Sequence, residues 1–226
     1  MTSGEQGTVT SQEAGGRSPR RTAVSARWLF DARAAAVADL AEQAEDVARA
    51  CHAMAVRFHQ GGKLVVFGTG TASTDAQHVA VEFVHPVIVG KRALPAISLT
   101  TDVATVTGVA ARDGMAGIFV HQLRRLAEPA DIALGISADG RDQSVLAGLA
   151  AAHELGMLTV AMTGGIPSDR TSGPVASSPA VDHVLTVASA DPRIVKEVQV
   201  TTYHVLWELV HVFFEQPGVL APGVIP

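Results

Sequence analysis

The sequence predicts an α/β fold, a three-layer, doubly wound, parallel five-stranded sheet preceded by a long N-terminal helix. Five short apolar runs, typical of strands, occur at 63–68, 93–99, 131–137, 157–164 and 182–187. Helical patterns lie between and after them, near 74–84, 102–110, 114–127, 142–155 and 193–215. Strands that alternate with helices through short connections indicate parallel strands with helices on both faces of the sheet.

Composition narrows the class of protein. The 226 residues suit one α/β domain with extensions, and 47% of them are hydrophobic, enough for a substantial core. The formal net charge of −5 gives no broad basic surface for nucleic acid. The single cysteine excludes an internal disulfide framework and a zinc site made mainly of thiolates. Without a signal-peptide core or an apolar run of about 18 residues, we expect a cytoplasmic protein that does not enter the membrane.

The first part of the chain divides into a tail and a helix. Residues 1–22 are rich in Gly, Ser, Thr and Arg without hydrophobic periodicity, so we predict a disordered tail. From Arg27 to His59 apolar residues recur at intervals of three and four, which predicts one long amphipathic helix that Gly61 and Gly62 end. The domain then spans 23–216, and 217–226 form a C-terminal tail.

The strand ends are where a ligand site is expected. In open parallel sheets ligands bind outside the carboxyl ends of the strands. Two loops that follow strands there, 68–74 and 137–142, are unusually polar and small. Small residues at a helix N-terminus allow a phosphate to approach backbone amides, but an ordinary tight turn explains the first loop equally well. The candidate ligand residues in these loops are Thr69, Gly70, Thr71, Ser73, Ser137, Asp139 and Asp142.

The helix after the first strand carries the next candidates. His78 and Glu82 are four residues apart and therefore share one helical face. Glu82 lies in the otherwise apolar stretch 79–84, where a carboxylate without a partner is costly, so a functional role is favoured. A capping or hydrogen-bonding role is the alternative for His78.

These motifs resemble the sugar isomerase (SIS) domain and, within it, the phosphoheptose isomerases. The first loop and helix of those enzymes read G-N-G-G-S-x-x-D-A-x-H-x-A-x-E, and the loop after the third strand reads G-I-S-T-S-G-N-S. The matching positions of the first motif are Gly68, Gly70, Asp75, Ala76, His78, Ala80 and Glu82. The second motif corresponds to 135–142, and the resemblance covers roughly 30–215.

The resemblance implies a flavodoxin-like sheet and the aldose–ketose isomerisation of sedoheptulose 7-phosphate through an enediol. Glu82 and His204 would be the catalytic acid and base. A zinc ion would be held by His78, Glu82, His204 and a glutamine of the last helix, a donor set that zinc accepts. The resemblance also implies a homo-oligomer, usually a tetramer, with the first and last helices between subunits.

The chain departs from the family pattern on the last helix and in both loops; in the first loop Thr69 stands at the asparagine position and Ala72 at the serine position. The glutamine position holds Lys196, which cannot bind a metal, although Glu197 lies on the same helical face as His204 and is a candidate replacement ligand. In the third-strand loop, Asp139 and Asp142 stand where the family has serines. Carboxylates repel a phosphate at close range unless a cation such as Arg141 intervenes.

Structural roles explain some of these residues equally well. Asp139 and Asp142 are alternatively helix-capping carboxylates. Asp102, a further candidate substrate contact after the second strand, is explained equally well as an N-cap. His204 shares its helix with aromatic residues, so packing is the rival interpretation of that side chain.

Whether the chain is an enzyme stays open at this point. One hypothesis is a phosphoheptose-isomerase-like intramolecular oxidoreductase acting on a ketose phosphate. A second is a non-catalytic SIS-fold protein that binds a sugar derivative or a protein partner. A third is an isomerase or lyase for a different sugar derivative, to which the two loop aspartates are adapted.

Overall fold

The computed structural model describes residues 26–165, 173–216 and 218. The predicted N-terminal tail 1–22 lies outside the described residues, as does the predicted C-terminal tail 217–226 apart from residue 218. The strands are β1 (Leu64–Gly68), β2 (Ala96–Ser98), β3 (Ile132–Ser137), β4 (Leu158–Gly165) and β5 (His183–Ala188). The helices are α1 (Ala26–Ala41), α2 (Ala44–His59), α3 (Thr71–Val84), α4 (Val103–Asp113), α5 (Gly117–Leu126), α6 (Gln143–Glu154) and α7 (Pro192–Glu215).

The five strands form one parallel sheet in the order β2-β1-β3-β4-β5, which confirms the predicted fold class. Successive side chains of a strand point to opposite faces. Leu64 and Val66 of β1 therefore pack with α1, α2, α3 and α7, while Val65 and Phe67 pack with α4, α5 and α6. Both faces of β1 and β3 are buried, which explains why their sequences are apolar nearly throughout.

The N-terminal helix is two helices rather than the single one predicted. α1 ends at Ala41 and α2 begins at Ala44, with a turn between them. The side-chain amide of Gln43 in this turn donates to the Thr186 carbonyl at 2.8 Å and accepts from the Thr186 N–H at 3.2 Å. β5 is an edge strand, so the amide supplies hydrogen bonds that a further strand would make. Periodicity does not reveal this break because its cause is a contact 143 residues away in sequence.

The topology places the candidate site at the point where the strand order reverses. β1 lies between β2 and β3, and the chain leaves β1 and β3 toward opposite sides of the sheet. At the end of β1, Gly68 lies so close to the backbone of β3 that an added Cβ would be 2.8 Å from the Ile136 carbonyl oxygen. Gly70 has a φ of 56°, which allows the abrupt turn into α3. Within the described ranges, no helix is long and apolar enough to cross a membrane.

Candidate functional site

Two helices bring three candidate residues together. The i, i+4 spacing on α3 places His78 Nε2 3.1 Å from Glu82 Oε1. α7 packs against α3 and brings His204 to the same place, with its ring centroid 5.3 Å from that of His78. One donor atom from each of the three side chains lies within 4.8 Å of the others. The arrangement joins residues separated by more than 120 positions into one cluster.

The three side chains differ in exposure. The Glu82 side chain is 10% exposed and the His78 side chain 42%, while His204 is exposed. The imidazole of His78 is the hydrogen-bond partner of the nearly buried Glu82 carboxylate, which compensates the cost of burying it. A small molecule can reach the cluster from the side of the two histidines.

Tyr203 completes the cluster, although the sequence does not predict it as a site residue. Its hydroxyl lies 2.7 Å from His78 Nδ1, and its ring centroid is 4.9 Å from that of His204. Burial, together with the carboxylates of Asp75 and Glu82, raises the pKa of Tyr203 well above its ordinary value, so the phenol stays neutral. No motif marks this residue, because only the packing of α7 on α3 places its hydroxyl beside His78.

Lys196, which stands at the glutamine position of the family, forms an ion pair with a residue of α3. Lys196 Nζ lies 2.7 Å from both carboxylate oxygens of Asp75 and 3.1 Å from the Thr71 carbonyl oxygen. Asp75 is 5% exposed, so the ammonium compensates a buried carboxylate. The pair joins α7 to the first turns of α3, next to the His78–Glu82–His204 cluster.

The structure does not bring Glu197 to this cluster. Its carboxylate forms a two-point ion pair with Arg33 of α1, with Nη2–Oε1 at 2.9 Å and Nε–Oε2 at 2.5 Å. Seven residues of helix return to the same face but advance about 10 Å along the axis. Glu197 is therefore on the expected face but about two turns from His204, too far to share a ligand with it.

The chemistry of the donors suits zinc. His78, Glu82 and His204 offer two imidazole nitrogens and one carboxylate oxygen, a set found in zinc sites that have three protein ligands and one open position. Among the described residues this is the one group of three or more His, Cys, Asp or Glu side chains close enough to share an ion. A site with three ligands needs no contribution from Lys196 or Glu197.

One aspartate of the loop after β3, Asp142, has a structural role as the N-cap of α6. Asp142 Oδ1 accepts from the Ser144 N–H at 2.8 Å and caps α6, and its other oxygen accepts the hydroxyl of Thr69. This carboxylate therefore ties the loops after β1 and β3 together. Asp139 is exposed and accepts from the Arg141 N–H at 2.9 Å.

Two cavities adjoin these loops. One, of about 310 Å³, is lined by Thr69, Ser137, Asp139, Arg141 and Asp142 together with Ile136 and Ala138. The other, of about 200 Å³, is lined by Thr69, Gly70, Ser73 and Thr100 together with Gly68, Val106, Met115, Ile118 and Phe119. Most of the predicted loop residues thus line one or both cavities.

Thr71 and Asp102 line neither of these cavities. Asp102 is the N-cap of α4 and accepts from the Thr105 N–H at 3.0 Å and the Thr105 hydroxyl at 2.6 Å, which together lower its pKa. The capping role of Asp102 is therefore observed, and Asp102 itself lines neither of the two cavities. The Thr71 carbonyl accepts from Lys196, as described above.

Known proteins share both the sequence and the architecture. Residues 28–164 match the family model described as SIS domain. The phosphoheptose isomerase of Desulfovibrio desulfuricans is 37% identical over 184 residues, covering 80% of this chain and 84% of the relative. That of Aquifex aeolicus is 38% identical over 170 residues, covering 75% and 84%.

A solved structure of a phosphoheptose isomerase from Francisella tularensis superposes with a TM-score of 0.72 at 29% identity, covering 81% of this chain and 95% of that chain. The phosphoheptose isomerase from Neisseria gonorrhoeae gives the same TM-score at 26% identity, covering 80% and 94%. Both comparisons span the domain rather than a single motif. The chain therefore belongs to the SIS domain family and is similar, within it, to the phosphoheptose isomerases.

Proposed function

We propose that the protein is a phosphosugar isomerase that interconverts a ketose phosphate of the sedoheptulose 7-phosphate type with the corresponding aldose. The observation that carries this proposal is the convergence of Glu82, His78 and His204 where α3 and α7 pack together. Relatives that are 33–38% identical carry the name phosphoheptose isomerase, which supports the same reaction class.

The reaction needs two groups that exchange protons with the sugar. Glu82 takes a proton from C1 of the ketose, and an N–H of His204 gives a proton to the carbonyl oxygen at C2, which yields the enediol. Glu82 then returns a proton to C2 while His204 accepts the proton of the C1 hydroxyl, which yields the aldehyde. Each residue thereby ends in its starting protonation state, as an acid–base pair must.

The surroundings of the two groups fit these roles. Glu82 belongs to α3 and His204 to α7, so the two groups approach the cluster from different elements. In the metal-free protein the hydrogen bond from His78 restricts the orientation of the Glu82 carboxylate, because it fixes one of its two oxygens. His204 is exposed and can contact a substrate without rearrangement of the helices.

The proposal includes a zinc ion held by His78, Glu82 and His204. Zinc would supply a Lewis acid that polarises the oxygens of the sugar. A carboxylate has two oxygens, so ligation through one leaves Glu82 a second oxygen. The chain's own contribution is to hold these donors within 4.8 Å of one another and to keep the ammonium of Lys196 on Asp75.

We place the phosphate group of the substrate at the N-terminus of α3, in the cavity that Gly70, Ser73 and Thr100 line. The positive end of the helix dipole favours an anion there. Both oxygens of Asp142 accept hydrogen bonds, one from the α6 N-terminus and one from the Thr69 hydroxyl. These donors offset part of the negative charge that the carboxylate would otherwise present to the phosphate.

The protein is also proposed to be a homo-oligomer, with the tetramer as the expected form. α1 exposes Trp28 by 56% and Phe30 by 72%, and the loop after α3 exposes Val87 by 71% and Val89 fully. Apolar surface of this kind is typical of association. Light scattering of the purified protein measures the number of subunits, and a monomer at micromolar concentration contradicts this part of the proposal. The predicted cytoplasmic location stays a prediction.

An isomerase assay tests the catalytic proposal. We expect purified protein to convert sedoheptulose 7-phosphate to the aldose, and Glu82→Gln to lose at least about 100-fold in kcat because it removes the acid–base group. Glu154→Gln is the matched control, since Glu154 is an exposed glutamate of α6. Absence of turnover in the wild type, or full activity in Glu82→Gln, contradicts the proposal.

A second candidate, an isomerase of a non-phosphorylated sugar derivative, is favoured by one observation. Asp139 places an exposed carboxylate in the cavity between the loops after β1 and β3, where it would attract an amine or hydroxyls rather than a phosphate. Thermal unfolding with sedoheptulose 7-phosphate and with sedoheptulose separates the two candidates. Stabilisation by the phosphorylated sugar alone supports the first, and stabilisation by the neutral sugar alone supports the second.

A further inference from the structure

His78 stands between a phenol and a carboxylate. Its Nδ1 is 2.7 Å from the Tyr203 hydroxyl, and its Nε2 is 3.1 Å from Glu82 Oε1. We propose that Tyr203 is a positioning residue whose hydroxyl lets His78 carry its proton on either ring nitrogen, so that Nε2 is free for a metal ion when one binds. This inference rests on the zinc site of the proposed function.

The contact with Glu82 fixes the proton in the metal-free protein. An ionised carboxylate can only accept a hydrogen bond, so the 3.1 Å contact requires a proton on Nε2. In the neutral imidazole Nδ1 is then an acceptor. The Tyr203 hydroxyl consequently donates to Nδ1 in this state.

Metal binding reverses both roles. A metal held by His78 through Nε2 would occupy the lone pair of that nitrogen, so the single proton of the neutral ring would reside on Nδ1. Nδ1–H then donates to the oxygen of Tyr203, because a hydroxyl is an acceptor as well as a donor. A carbonyl or carboxylate at this place would only accept and would hold the proton on Nδ1 in both states. The hydroxyl therefore serves both states without moving.

Packing holds the phenol in position for this exchange. Tyr203 is 1% exposed, and its ring meets that of His78 edge to face, with centroids 5.4 Å apart and an interplanar angle of 81°. The ring also contacts that of His204, with centroids 4.9 Å apart. Because Tyr203 is buried, an Nδ1–H that lost its hydroxyl would lose a hydrogen bond that water replaces poorly.

The test is the ¹⁵N spectrum of histidine-labelled protein, first free of metal and then titrated with Zn²⁺. In the wild type we expect the His78 proton on Nε2 without metal and on Nδ1 with it. Tyr203→Phe keeps the ring but removes the hydroxyl, so the Nδ1 signal of the metal-free protein should move toward that of an acceptor without a hydrogen bond. Zinc affinity should fall about 10- to 100-fold, the range for loss of a residue that orients a ligand.

Thr202→Val is the matched control. Thr202 is also buried on α7, but its hydroxyl donates to the Val198 carbonyl within the helix, at 2.8 Å. This substitution should leave the His78 spectrum and the zinc affinity unchanged. Circular dichroism verifies that both variants fold.

Three results overturn the inference: a proton on Nδ1 in the metal-free wild type, an unchanged His78 spectrum and zinc affinity in Tyr203→Phe, or no zinc binding by the wild type. None of these readouts uses turnover. Failure of the inference is therefore separate from failure of the proposed isomerase activity, which the assay of Glu82→Gln decides.

Discussion

Replacement of Lys196 by methionine should destabilise the protein, because it leaves a buried carboxylate without its cation. Lys196 Nζ lies 2.7 Å from both oxygens of Asp75, and the side chains are 39% and 6% exposed. Removal of one partner costs about 3–5 kcal/mol for a fully buried pair, against about 0–1 kcal/mol for an exposed one. Since this pair is buried on one side only, we expect a loss of about 2–3 kcal/mol. Methionine keeps the apolar stem, so the change removes only the ammonium and its contacts with Asp75 and Thr71.

The assay is urea unfolding of wild type and variant at one protein concentration, because self-association adds concentration-dependent stability. Asp75→Asn should cost less than Lys196→Met, since a half-exposed ammonium recovers water. The double variant should recover part of the loss of Lys196→Met, and the double-mutant cycle gives the coupling energy. Lys91→Met is the matched control, because its partner Glu215 is 60% exposed.

The expected loss of stability in Lys196→Met comes from the burial of Asp75. The comparison with Lys91→Met is decisive because the carboxylate partner of Lys91 is exposed. A loss in Lys196→Met below about 1 kcal/mol, the range of an exposed pair, refutes the reasoning. A double variant no more stable than Lys196→Met would likewise show that the unpaired carboxylate is not the cause.

Three further perturbations have defined outcomes. Hydrogen bonds from the side chain and backbone of Arg193 lower the pKa of Asp191, the N-cap of α7, to about 2. At pH values above 3.8, the ordinary pKa of the group, Asp191→Ala should therefore lower the urea midpoint relative to the wild type. This difference should be lost as the pH falls through about 2. Gln43→Leu removes two hydrogen bonds to Thr186 and should cost about 2 kcal/mol in urea unfolding. Burial raises the pKa of Cys51 to about 12, so iodoacetamide at pH 8 should label unfolded protein but not native protein.

The sheet was predictable because burial on both faces leaves a local signature. The apolar run 131–137 coincides with β3, Ile132–Ser137, to within one residue. β2 is shorter than the predicted 93–99, since only Ala96–Ser98 pair with β1. The break between α1 and α2 was not predictable, because both helices continue the same periodicity and the Gln43–Thr186 contact is remote in sequence.

The site was predictable only in part. His78 and Glu82 follow from helical spacing, whereas His204 joins them through the resemblance to a known family. Helical rotation alone predicts Glu197 beside His204, but the rise of two helical turns excludes Glu197 from the site. The partners of Lys196 and Tyr203 lie more than 120 residues away in sequence, so only the packing of α7 on α3 reveals their contacts.

Solvent deuterium exchange tests most directly whether Glu82 and His204 form an isomerase site. In D₂O, wild-type protein incubated with sedoheptulose 7-phosphate should place deuterium at C2 of the aldose formed, because the carbon proton passes through an exchangeable carboxyl group. Glu82→Gln should place none there, and Glu154→Gln should match the wild type. Aldose that forms without deuterium, or equal incorporation by Glu82→Gln, would contradict a proton transfer through Glu82.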